Sequence, residues 1–155
     1  MELSQMEADN LILMDKKRTG NQSYTFPIPG NHTVVPLLSI DNTYEFTLNF
    51  YHAIIKRNKV QAAELYEKGV LLLRMCVGGK HHINPQANAP LAMFSGFEGV
   101  DTGENHLHYY AEGWEAKWAV PLNIDPSMFY PLTRLAYHFM SVCHVIDKPI
   151  MSGGL

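Results

Sequence analysis

Two imidazoles, a phenol and a carboxylate occupy alternate positions of the run His106-Leu107-His108-Tyr109-Tyr110-Ala111-Glu112. In an extended strand alternate residues share a face, so His106, His108, Tyr110 and Glu112 are expected on one side, about 7 Å apart. Leu107, Tyr109 and Ala111 then face a core. Histidine titrates near neutrality, so a pair can hold a proton donor and a proton acceptor at once. That combination suits cleavage of RNA through its own 2′-hydroxyl, where one group removes a proton and another protonates the leaving oxygen. A second pair, His81-His82, precedes Ile83-Asn84-Pro85 and directly follows an apolar strand, so a hairpin-like return would bring it beside His106.

In this scheme His108 and His82 exchange the protons, His106 binds phosphate, Glu112 orients an imidazole and Lys117 stabilises the developing charge. Arg74, Tyr110 and Trp114 are the candidate substrate contacts; Trp114 and Trp118 flank Lys117 and can stack a base or anchor the sheet. Metal ligation competes for the same side chains. His82, His106, His108 and Glu112 would suit zinc or non-haem iron, since two strand histidines and a carboxylate make a facial set. The leading expectation is nonetheless a metal-independent site without a cofactor. If neither use holds, the two strand histidines form only a solvated polar face.

Composition narrows the classes. The chain has 155 residues, 46% of them apolar and 17% charged, a globular balance for one domain. Its formal charge of −3 does not advertise a broad nucleic-acid-binding face. Eight histidines, four of them within residues 81–108, would reverse that sign if protonated. The longest apolar stretch, Val70 to Val77, contains Arg74 and is too short to span a bilayer. Met1 to Glu7 is acidic and unlike a secretory signal, and Cys76 and Cys143 lack disulfide spacing, so a reducing cytoplasm is expected. Both cysteines read as small buried hydrophobes. Lys56-Arg57-Asn58-Lys59 is a local basic patch, and phosphate-cradling loops and nucleophile elbows are absent from the sequence.

The elements that must position these residues follow from period and punctuation. Ser4 with Glu7 makes a capping box, Lys16, Lys17 and Arg18 suit a helix C-terminus and Gly20 a stop, so a helix is expected over residues 4–19. Strands are expected over Thr33–Ile40, from Tyr44 to Phe50 with a continuation over Ala53–Arg57, and over Val70–Val77 after a Lys68-Gly69 turn. Val60–Glu67 suits strand or helix. Residues 78–105 form a long Gly-, Pro- and Asn-rich loop, followed by strands at 106–112 and 116–120, and a helix over 131–147. The predicted architecture is a single α+β domain over 1–150: N-terminal helix, antiparallel sheet of about five to seven strands, C-terminal helix on one face. Residues 151–155 are expected as a disordered tail.

The runs Leu3-Ser4-Gln5-Met6-Glu7-Ala8-Asp9-Asn10-Leu11-Ile12, Phe26-Pro27-Ile28-Pro29-Gly30, His82-Ile83-Asn84-Pro85, His106 to Gly113 and Lys117-Trp118-Ala119 resemble a small bacterial family of unknown function. More loosely, residues 60–110 are similar to histidine-rich ribonuclease toxins of toxin–antitoxin modules, which implies RNA as substrate and an antitoxin as partner. The chain departs from that pattern at Met75-Cys76, at Gln86-Ala87 and in residues 86–105, which look like an insertion. A non-enzymatic phage- or plasmid-encoded inhibitor, using the long loop as its contact surface, is the expectation from a different class.

Overall fold

Phe46, Leu48 and Phe50 alternate with Glu45, Thr47 and Asn49, and burying the first set dictates a strand with one face on a core. In the computed structural model, which describes residues 2–53 and 61–154, they lie in a strand spanning Glu45–His52 (β4), each 2% exposed or less. The other strands of this sheet are Lys16–Arg18 (β1), His32–Ser39 (β3), Gln61–Glu67 (β5), Val70–Val77 (β6), His106–Tyr109 (β7), Ala119–Pro121 (β8) and Val145–Asp147 (β9). Their order is β8-β7-β6-β5-β4-β3-β1-β9, antiparallel except for the β1–β9 pair. Ser23–Thr25 (β2) and Ile150–Ser152 (β10) make a second, two-stranded parallel sheet. Two α-helices, Gln5–Leu13 (α1) and Thr133–Val142 (α2), occur among the described residues. None is long and apolar enough to cross a membrane.

The expected α+β sheet of five to seven antiparallel strands with a helix on one face is therefore corrected to a mostly-sheet fold. Its main sheet has eight mixed strands. Two short strands hidden inside the expected helices account for much of the difference. The capping box of α1 forms as expected, with Ser4 and Glu7 exchanging side-chain bonds to backbone. The helix ends at Leu13, however, and Lys16–Arg18 pairs between β3 and β9. Lys16 still serves the helix end, but from within the strand, by turning its ammonium back to the carbonyls of Ile12 and Met14. At the other end of the chain, His144 adopts a left-handed conformation (φ 60°) that stops α2 and redirects Val145–Asp147 into the sheet. The segment expected as a tail carries β10, and the Gly154 carbonyl accepts from Leu132 N–H.

Val60–Glu67, ambiguous by propensity, is strand from Gln61 because β4 and β6 hydrogen-bond it on both sides. Lys68-Gly69 makes the expected tight hairpin, both residues having positive φ (48° and 77°). The strand continuation over Ala53–Arg57 and the Lys56–Lys59 patch lie outside the described residues apart from Ala53.

The main core sits on one face of the large sheet, where Val35, Leu37, Phe46, Leu48, Phe50, Leu65 and Met75 meet α1 and α2. A satellite cluster of Phe94, Ala111 and Trp118 packs under the 78–105 loop. The opposite face of the sheet carries polar residues of β4 to β7, His106 and His108 among them.

Candidate functional site

Strand alternation places every second residue of β4 to β8 on that second face. One cross-strand row runs Tyr51, Ala62, Cys76, His106, Pro121; the next runs Asn49, Glu64, Arg74, His108, Ala119. Directly opposed residues in a sheet have Cβ atoms about 4.5–5.5 Å apart. His106 and His108 thus stand over Cys76 and Arg74, and their ring centroids are 4.9 Å apart.

The third imidazole arrives from the loop. Thr102 N–H donates to the His82 carbonyl (2.7 Å), Asn84 N–H to Val100 (3.0 Å) and Gly79 N–H to Glu104 (3.1 Å), so residues 79–104 fold back on themselves as a hairpin-like excursion. Asn84, 1% exposed, fastens this excursion to β8. Its side-chain oxygen accepts from Ala119 N–H (2.9 Å), and its amide donates to the carbonyls of Ala119 (2.9 Å) and Phe97 (3.1 Å). His82 is thereby held with its ring centroid 4.5 Å from that of His108 and 5.6 Å from that of His106. Asn84→Ala should cost about 2 kcal/mol, because it leaves buried backbone groups of Ala119 unpaired. Urea denaturation at neutral pH checks this value.

The hydrogen bonds fix which ring nitrogen is free. His106 Nδ1 lies 2.8 Å from the Gly103 carbonyl and His108 Nδ1 2.8 Å from the Ala116 carbonyl. A carbonyl only accepts, so both rings carry the proton on Nδ1 and leave Nε2 with its lone pair. His82 is the reverse: its Nε2 meets the oxygens of Asn84 (3.1 Å) and Lys117 (3.0 Å), which leaves Nδ1 as the lone-pair nitrogen. Candidate ligand atoms of Cys76, His106 and His108 all lie within 4.8 Å of one another, and all three residues are buried. Burial pushes the pKa of His108 down to about 3, with the neighbouring His82 and His106 adding to the effect. Burial lowers His106 as well, against the carbonyl of Gly103. It also raises the Cys76 thiol, while Arg74 pulls it back.

The cluster opens on a cavity of ≈ 390 Å³ lined by Tyr51, Arg74, Cys76, Lys80, His81, His82, His106 and His108 among others. His81, at the rim, is tied to Asp101 (2.8 Å).

Of the residues singled out from the sequence, His82, His106, His108 and Arg74 come together. Glu112 does not, because β7 ends at Tyr109 and the chain turns through the Ala111–Glu115 bridge. Its carboxylate instead accepts from Gln5 N–H (2.8 Å) at the start of α1. Tyr110 is in the main core and donates its hydroxyl to Leu3 O. Trp114 packs edge-on against Trp118 (5.7 Å, 89°), and the Lys117 side chain is exposed, only its carbonyl reaching His82. Leu107 and Tyr109 pack on the main core as expected. Cys76 and Asn84 complete the site without having been expected in it. The alternation of Arg74 and Cys76 against Leu73, Met75 and Val77 was the signal that puts the thiol on the polar face.

The profile of a family of unknown function (DUF6978) matches residues 3–145. No curated protein and no solved structure matches the chain.

Proposed function

The chain belongs to a family of unknown function (DUF6978), and from the site's geometry we propose that it is a transition-metal protein. Cys76, His106 and His108 would hold one zinc-class ion. The observation that carries this reading is the pinning of both strand imidazoles by Nδ1–H to backbone carbonyls, with the Cys76 thiol inside the same 4.8 Å group. A carbonyl behind a histidine is the arrangement that fixes tautomer and ring direction in metal sites. One thiolate and two neutral imidazoles are a donor set that zinc accepts, and iron shares part of that preference. Three protein ligands leave a position for water or a substrate, where a bound zinc acts as a Lewis acid. His82, beside the set with a lone-pair Nδ1, supplies a proton acceptor next to that position.

Of the four ligands expected from the sequence, His106 and His108 remain, Cys76 takes the place of Glu112, and His82 stands beside the set. A proton relay between histidines is less well supported. It needs a charged imidazole, and burial works against the charged form of both strand rings, His106 and His108. Nothing else in the site favours RNA or an antitoxin as a partner.

Tag-free protein, stripped with chelator and titrated with Zn²⁺, should take up one equivalent, and metal analysis after desalting should retain it. Folded protein that binds no stoichiometric zinc, cobalt or iron would overturn the reading.

A further inference from the structure

Arg74 is the register partner of His108 and lines the same cavity. Its side chain is 44% exposed, whereas its neighbour Glu64 is 13% exposed. Arg74 Nε lies 3.8 Å from Glu64 Oε2, and Asn49 Nδ2 donates to the other oxygen of that carboxylate at 2.8 Å. Glu64 is thus held from both sides and meets the guanidinium at Nε, while the Cys76 thiol is a further neighbour of Arg74. Among the described residues Arg74 makes no other ion pair. The remaining edge of a guanidinium is a planar fork that matches the two oxygens of a carboxylate or phosphate.

The charges around the cavity point the same way. Lys80 adds a second cation to the lining. The nearby carboxylates of Asp101 and Glu104 are turned to His81, at 2.8 and 3.8 Å, and His81 is itself held more basic by Asp101. The cavity floor therefore combines soft and nitrogen donors with a cationic wall. Its lining also includes Tyr51, Ala53 and Ala62, which gives it an apolar side.

Resting on the metal reading above, we propose that the centre binds a small organic or inorganic oxyanion, one end at the metal's open position and the other on Arg74. The class of ligand is a compact carboxylate or phosphate group, of a size that ≈ 390 Å³ accommodates. Divalent metal and guanidinium acting on one anion give it two anchors, and thereby a fixed orientation in the cavity.

The test uses the zinc-loaded full chain, titrated calorimetrically with inorganic phosphate and, separately, with acetate. One anion should bind per metal, and the arm that saturates first identifies phosphate or carboxylate as the ligand. Arg74→Met should weaken that binding at least tenfold and leave zinc stoichiometry unchanged. Arg74→Lys, which keeps the charge but loses the fork, should fall between and covers the case in which the methionine variant fails to fold. Zinc-loaded protein indifferent to both anions, or an R74M variant that binds them as the parent does, would overturn the proposal while leaving the metal site intact. Protein that takes up no zinc would instead remove the metal reading, and the anion site with it.

Discussion

His108→Ala should reduce zinc affinity about 10²–10³-fold, since structural zinc sites bind with about 10–16 kcal/mol and each ligand carries a share of roughly 3–4. His108 is a proposed ligand enclosed by the rest of the site. It is 8% exposed, its ring is held by the Ala116 carbonyl, and it stands between His82 and His106. Cys76→Ser should lose affinity comparably, because the hydroxyl that replaces the thiol is a far poorer zinc ligand. Glu112→Gln is the informative control. Its carboxylate contacts Gln5 N–H at the start of α1 rather than the imidazoles, so zinc affinity should stay within twofold of the parent. Competition titration against a chromogenic chelator reads all three. A large loss on Glu112→Gln, with Cys76→Ser silent, would return the ligand set to the one the sequence suggested.

The second large effect is on stability. Lys16 is fully buried, and its ammonium donates to Ile12 O (3.0 Å), Met14 O (2.8 Å) and Cys143 O (2.8 Å). It also lies 4.7 Å from the centroid of the Phe46 ring. The carbonyls belong to the C-terminal ends of α1 and α2, where backbone acceptors lack partners and the helix dipole is negative. One cation thus ties both helices to the sheet. Lys16→Met keeps the apolar stem but strands these acceptors, and should cost about 3 kcal/mol.

The pH dependence has a definite sign. Burial lowers the Lys16 pKa to about 8, below an unfolded value near 10.4. Between those values the unfolded chain holds more of this proton, so the contribution of Lys16 to stability rises with pH across the window and is constant below it. Chemical denaturation from pH 7 to 10 should give a more positive slope in the parent than in the methionine variant. The buried thiols and Tyr109, whose pKa values burial raises, contribute to both. Equal slopes in the two proteins would exclude this contribution from Lys16.

Legibility of the fold followed the local signals. The hairpin of β5 and β6 announced itself through Lys68-Gly69 and eight residues of β6, and the α1 cap through Ser4 and Glu7. β1 and β9 did not, because three-residue strands carry no readable period and their pairing comes from distant chain. Lys16-Lys17-Arg18 imitates the basic end of a helix, and a histidine rather than glycine makes the left-handed stop after α2.

At the site, alternation along β7 put His106 and His108 on one face, and the Asn84 turn supplied His82. Alternation was carried too far at Tyr110 and Glu112, since the strand ends where the satellite cluster under Trp118 needs Ala111. Cys76 was hidden by its chemistry: a buried cysteine in an apolar run looks like core until its face is known.

X-ray absorption at the zinc edge of the loaded protein tests the centre most directly. A zinc ion held by Cys76, His106 and His108 would have a mixed shell, one sulfur at about 2.3 Å and imidazole nitrogens at about 2.0–2.1 Å. A shell of oxygen and nitrogen without sulfur would place the ion elsewhere and contradict the account.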